Sequence, residues 1–197
     1  FWHQNSGAYV MVLYLETNDF GILRSKDLND WQLTQRFTLK DAWECPNLLS
    51  FDVAEKTVWM LLTADGFYYF GEFDGFYFST DGEKHLAYAN DVPYAAQVYS
   101  GIENRTVLIP WLRLKRSIDN YIGAMGIPRE LEVIEEADKL SLCLHPVKEM
   151  AQQISNTVWD KTVEDISGDE ACSITVKGQL LEQDWGTKVA KSSIEYD

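Results

Sequence analysis

The chain of 197 residues is 46% hydrophobic and 13% aromatic, and its 31 acidic residues against 17 basic ones give a net charge of −14. That apolar share supports one ordinary domain with a packed core, or one domain plus part of a second, which excludes general disorder, and the charge repels phosphate backbones and anionic bilayers, which excludes nucleic acid and membrane surfaces as partners. No stretch approaches the roughly 18 consecutive apolar residues of a membrane span.

Phe1-Trp2-His3-Gln4 has no methionine and no basic leader and reads as the interior of a strand, as if the chain began inside a longer protein. Strand-like runs rich in aromatic and β-branched residues then recur at Tyr9–Leu15, Val58–Thr63, Phe67–Phe73, Phe76–Ser79, Ala95–Tyr99 and Thr106–Leu112. Between them, Asn5-Ser6-Gly7, Ala64-Asp65-Gly66, Phe73-Asp74-Gly75 and Thr80-Asp81-Gly82 end in a glycine that takes positive φ without strain, the punctuation of hairpins. No convincing helix precedes position 150. The strands fall in packets of about four per 40 to 50 residues, the spacing of propeller blades, although a sandwich would give similar strands. After Pro146-Val147-Lys148-Glu149-Met150 the texture changes: 151–169 is polar, and Ser173–Val176 and Ser193–Tyr196 read as strands of another sheet. The expected domains are 1–150 and 151–197.

Each chemistry-bearing residue has two readings. Glu44, in Ala42-Trp43-Glu44-Cys45-Pro46, is either a solvated residue at a strand edge, where Pro ends the ladder, or a proton donor walled by Trp43 and Cys45. Asp74 either caps hairpin amides or faces a ligand, and Trp111 is core or a stacking platform. Arg129 and Glu130, flanked by apolar residues, suggest a structural ion pair that ties the last blade to the linker. The three cysteines, 45, 143 and 172, and the three histidines, 3, 85 and 145, share no ligand spacing, so neither a metal nor a cofactor is expected. The odd cysteine count argues against a full disulfide framework.

Taken in order, the segments FWHQNSGAYVMVLYL (1–15), SKDLNDW (25–31), WECPNLL (43–49), YFGEFDG (69–75), YAAQVY (94–99), GAMGIPREL (123–131) and LHPVKEM (144–150) resemble glycoside hydrolase family 32, the invertases, levanases and inulinases. The resemblance implies an all-β fold: part of a five-bladed β-propeller, its later blades, followed by the beginning of a β-sandwich. It also implies a β-fructofuranosidase acting on sucrose, levan or inulin with retention. Of the family's three acids, only the acid/base Glu of Glu-Cys-Pro has a counterpart, Glu44; the nucleophilic Asp of a Trp-Met-Asn-Asp-Pro-Asn segment and the stabilising Asp of Arg-Asp-Pro have none. The isolated chain is therefore expected to be inactive. Trp43, Asp74, Asp91, Tyr94, Gln97 and Trp111 are carried over as substrate-binding residues.

The chain also departs from the pattern. Where the family has Asp-Phe before Tyr-Ala-Ala-Gln, this sequence has Val92-Pro93, with Asp91 one step earlier; Pro110 stands where a Gly usually precedes the tryptophan. The Val92-Pro93 departure suits a carbohydrate-binding or structural propeller relative without catalysis. Gly123-Ala124-Met125 is closer to the levanase and inulinase branch and leans toward a fructan substrate and a secreted protein. Exposed blade edges would favour self-association.

Overall fold

The computed structural model describes residues 1–102, 104–114 and 123–151, and the backbone of three later strands at 172–174, 187–190 and 193–196. The chain divides into two compact units, Phe1–His145 and Pro146–Asp197.

The first unit holds three antiparallel sheets, each a meander in chain order. The first runs β1 (Trp2–His3), β2 (Ala8–Glu16), β3 (Asp19–Ser25) and β4 (Gln32–Thr38). In the second, β5 (Asn47–Val53), β6 (Lys56–Leu62) and β7 (Phe67–Phe73) are followed by two short strands, β8 (Phe78–Ser79) and β9 (His85–Leu86), which share the free edge of β7. The third repeats the device one strand earlier: β10 (Pro93–Val98) and β11 (Thr106–Leu112) are followed by β12 (Ala124–Met125) and β13 (Arg129–Glu136), both paired to β11, and then by β14 (Lys139–Pro146). Each sheet thus has four strand positions in up-and-down order, the form of a propeller blade.

Strand periodicity explains how the three sheets stack. Successive side chains point to opposite faces, so a sheet covered on both sides must be apolar at odd and even positions alike. In β6, Leu61 enters a core with Val10, Phe20 and Ile22 of the first sheet, while Met60 and Leu62 enter a second core with Ala96, Leu108 and Leu131 of the third. In β7, Tyr69 and Phe73 join the first core and Tyr68 the second. The middle sheet is therefore buried from both sides.

The four turn glycines expected from the sequence, Gly7, Gly66, Gly75 and Gly82, all have positive φ. At Gly75 (φ 94°) a side chain would also collide with the His3 ring. His3 is buried between Trp59 and Phe73, with Nδ1 2.8 Å from Ser6 Oγ, and burial, then the Arg24 charge, push its pKa below the usual imidazole value. It is a packing residue joining the first two sheets.

The second unit comprises one helical turn, α1 (Lys148–Ala151), and an antiparallel sheet of β15 (Cys172–Ile174), β16 (Thr187–Ala190) and β17 (Ser193–Tyr196). Most of the polar stretch 151–169 and the end of the expected strand at Val176 lie outside the described residues.

Candidate active site

The loop from β4 into β5 carries Glu44, and its backbone is strained. Glu44 and Cys45 have φ of 42° and 39°, a left-handed conformation that costs a residue with a side chain on the order of 1 kcal/mol or more. Hydrogen bonds hold it there. The carbonyls of Trp43 and Glu44 both accept the Ala64 N–H, at 2.9 and 3.1 Å, which ties the loop to the turn between β6 and β7. Buried Asn47 donates Nδ2 to the Cys45 carbonyl and to the Ala96 carbonyl, 3.0 Å each, and its Oδ1 accepts from Val98 N at 3.3 Å. One side chain thereby fixes the Glu44 loop and joins the inner strands of the second and third sheets.

The partner of the carboxylate comes from β10, and Pro110 explains how. The register pairs Tyr94 with Trp111 and Gln97 with Ile109, so Ala95 and Ala96 oppose the single residue Pro110. A proline offers no N–H to the ladder, and two residues against one make a bulge. Ala95 takes φ of 48° and gives its N–H instead to the Ala64 carbonyl at 2.7 Å. The bulge brings the start of β10 to the Glu44 loop, where Tyr94 Oη donates to Glu44 Oε2 at 2.8 Å. Burial first, and then the bond to Glu44, push the Tyr94 phenol up to about 12. It is a permanent donor across the physiological range.

Tyr94 is itself braced. Trp111 meets it edge to face with centroids 6.3 Å apart, and the Arg113 guanidinium lies over its ring, 4.0 Å from the centre. Arg113 is anchored by Nη2 to the Asp91 carbonyl (2.6 Å), with its N–H to the Val92 carbonyl (2.8 Å). Gly123, at φ 106°, packs where a side chain would overlap the Trp111 indole nitrogen. The result is one exposed carboxylate with a fixed phenol donor, near two tryptophans that keep open surface, Trp43 at 43% and Trp111 at 40% exposed.

The structure thus joins Glu44, Tyr94 and Trp111, with Trp43 next in the chain. Glu44 is open to solvent, as in the first of its two readings, and Trp43 and Cys45 do not enclose it. Burial, and then the Glu44 charge, raise the Cys45 pKa, so this thiol is a wall and not a nucleophile. Trp111 stands at the surface instead of in the core. Asp91 enters through its main-chain carbonyl only, and no hydrogen bond links the exposed Gln97 side chain to Glu44.

Asp74 is not part of the constellation. Its carboxylate accepts the Phe76 and Tyr77 N–H groups, both at 2.7 Å, which holds its pKa below the usual range. It also sits at the far end of β7 from the Ala64 turn, about 20 Å along the strand. The hairpin reading is the one the structure supports. Glu130 pairs with Arg105 at 3.4 Å within the third sheet, not with Arg129 and not toward a linker. Asn47, Ala95 and Arg113 escaped the sequence reading, as did Asp65, whose charge contributes to the high pKa of Tyr94. Among the described residues no His, Cys, Asp and Glu group could hold a metal, and no helix is long and apolar enough to cross a membrane.

Residues 1–146 match the family described as the glycosyl hydrolases family 32 N-terminal domain. An invertase of Debaryomyces hansenii is 28% identical over 128 residues, 56% of this chain and 24% of that protein. Among solved structures, an exo-inulinase from Aspergillus awamori superposes with a TM-score of 0.71 at 24% identity, covering 81% of this chain and 37% of that one. A β-fructofuranosidase from Schwanniomyces occidentalis, solved with fructosyl-erythritol, gives 0.66 at 22% identity over 75% of this chain and 34% of its own. At these identities the two structures establish a shared fold. The chain spans well under half the length of these relatives.

Proposed function

The chain belongs to glycosyl hydrolase family 32, and from that premise we propose that it carries the general acid/base portion of a β-fructofuranosidase site, with Glu44 as the proton donor. The observation that carries this reading is the Tyr94–Glu44 hydrogen bond. It joins the Glu-Cys-Pro and Tyr-Ala-Ala-Gln segments, 50 residues apart, around one carboxylate. Glu44 would protonate the departing oxygen of a fructoside and then take a proton from the water that releases the sugar. Tyr94 would hold the carboxylate in one rotamer, and Trp43 and Trp111 would offer flat faces to the C–H surfaces of the sugar.

Retaining hydrolysis needs a second carboxyl group about 5–5.5 Å from the first, as nucleophile. The family's Trp-Met-Asn-Asp-Pro-Asn segment has no counterpart in the 197 residues. The three four-position sheets would be later blades of a five-bladed propeller, and residues after about 150 the start of a sandwich. A longer parent containing this chain should release fructose from sucrose, inulin or levan, and the isolated chain should release none. Steady fructose release by the isolated chain would overturn the partition of the site. A parent that binds inulin and hydrolyses no fructoside would favour the non-catalytic relative, to which Val92 and Pro93 in place of Asp-Phe already point. Gly123-Ala124-Met125 leans toward a fructan substrate.

The phenol has its own test. A hydrogen bond to a charged group is worth about 1.5–3 kcal/mol, so Tyr94→Phe in the parent should lower kcat by roughly tenfold to a hundredfold with the fold intact. Unchanged kcat would mean that Tyr94 does not position Glu44.

A further inference from the structure

At the end of the first sheet remote from Glu44, the loop between β3 and β4 borders an open cavity of about 360 Å³, within the size of small-ligand sites. Glu44 follows the opposite end of β4, so that strand alone separates the two places by about 20 Å. The cavity is formed by the Ser25–Trp31 segment, SKDLNDW, to which the proposed hydrolysis gives no task.

Its walls are rigid. Asp27 Oδ1 accepts from Ser25 Oγ and from the N–H groups of Asn29 and Asp30, at 2.9 to 3.0 Å, so this carboxylate builds the loop. Trp31 Nε1 donates to the Leu28 carbonyl at 3.0 Å, which fixes the plane of the indole in the lining. Arg24 donates Nη2 to the Ser6 carbonyl and lies 3.4 Å over the Phe76 ring, and Phe76 is held in turn by Thr34 Oγ1. Lys26 reaches the Gly7 carbonyl.

Unspent hydrogen-bonding capacity remains in these walls. Arg24 Nε has no acceptor but is buried beneath the surface, so it does not face the cavity. The side chains of Asp30 and Gln32, both in the lining, have no partner among the described residues. Two cations, Arg24 and Lys26, balance two anions, Asp27 and Asp30, so the cavity favours neither a phosphate nor a metal ion. A fixed indole plane beside a guanidinium, a carboxylate and a carboxamide, with no net charge, matches a neutral polyol. One face of a sugar ring packs on the indole, and vicinal hydroxyls take paired hydrogen bonds from the planar groups.

We propose that this cavity is a second, non-catalytic carbohydrate-binding site, taking one or two units of a fructan chain. The choice of fructan rests on the proposed hydrolase reading; the polyol chemistry rests on the cavity. Such a site holds polymer on the protein without taking part in bond cleavage, so it affects long substrates and not sucrose.

The test uses the parent protein and its Asp30→Ala/Gln32→Ala double variant, two changes at exposed side chains with no partner among the described residues. Affinity electrophoresis in inulin should show wild type retarded and the double variant weakened about tenfold in affinity, as expected for two lost hydrogen bonds. KM for inulin should rise by a similar factor while kcat and KM for sucrose stay put. Equal retardation of both proteins, or none of wild type in inulin or levan, would overturn the second site. Sucrose hydrolysis with equal retardation would leave the hydrolase reading standing without it; retardation that needs Asp30 and Gln32 in a protein inert toward every fructoside would leave the site standing and remove the hydrolase reading.

Discussion

Replacing Glu44 by Gln in the parent protein should slow fructose release from sucrose or inulin by about 10³- to 10⁴-fold, the upper range of what a positioned acid/base contributes. The amide keeps the shape of the side chain and an oxygen to accept from Tyr94 Oη, so the loop is retained and only the transferable proton is lost. The barrier rises by about 4–5.5 kcal/mol on this estimate. The loss depends on the leaving group. An alkoxide departing from sucrose needs its proton in the transition state, whereas an activated aryl oxygen departs as a stable anion. Aryl fructosides should therefore lose less than about tenfold in the first step. Equal losses on both substrates would assign Glu44 a role other than proton donor.

Asn47 governs the next largest effect, and it acts on stability. In Asn47→Ala the Cys45 and Ala96 carbonyls lose a donor and Val98 N loses an acceptor, all around a buried side chain. Each orphaned buried group costs about 1–3 kcal/mol, and with partial relaxation the sum should be about 3 kcal/mol of unfolding free energy. The denaturant midpoint should fall accordingly. Because the same amide holds the strained backbone at Glu44 and Cys45, the variant made in the parent protein should also lose activity at temperatures where it is still folded. An unchanged midpoint would show that the loop is held without this residue.

The fold was legible where strands bury both faces. Thr106–Leu112 and Phe67–Phe73 have the bounds expected from their aromatic and β-branched residues, and the turn glycines mark the hairpins as their φ values require. Strands β3, β4 and β5 were not foreseen: β3 is largely buried but Gly21 and the charges at its ends interrupt its apolar run, while the polar run Gln32-Leu33-Thr34-Gln35-Arg36 and the alternation after Asn47 carry half-exposed patterns that resemble loops. At the site, Glu44 and Tyr94 were identified by the motifs they occupy, and Trp111 by its aromatic type. Asp74 was misplaced because an Asp-Gly pair has the same composition at either end of a sheet; only the strand direction decides which end it faces. Asn47 and Arg113 are ordinary polar residues in sequence. Their weight comes from a bulge that forms because Pro110 lies opposite Ala95 and Ala96, a fact of register.

The central claim, that Glu44 is the acid/base partner of a nucleophile outside these segments, meets its most direct test in the Glu44→Gln parent given an activated aryl fructoside. The first step should proceed and the second should stall without a base to activate water. Intact-mass measurement after a rapid quench should then show a burst of aryl alcohol matched by one covalently bound fructosyl group per protein, on a peptide other than 43–49. A slow steady state with no adduct and no burst would contradict the account.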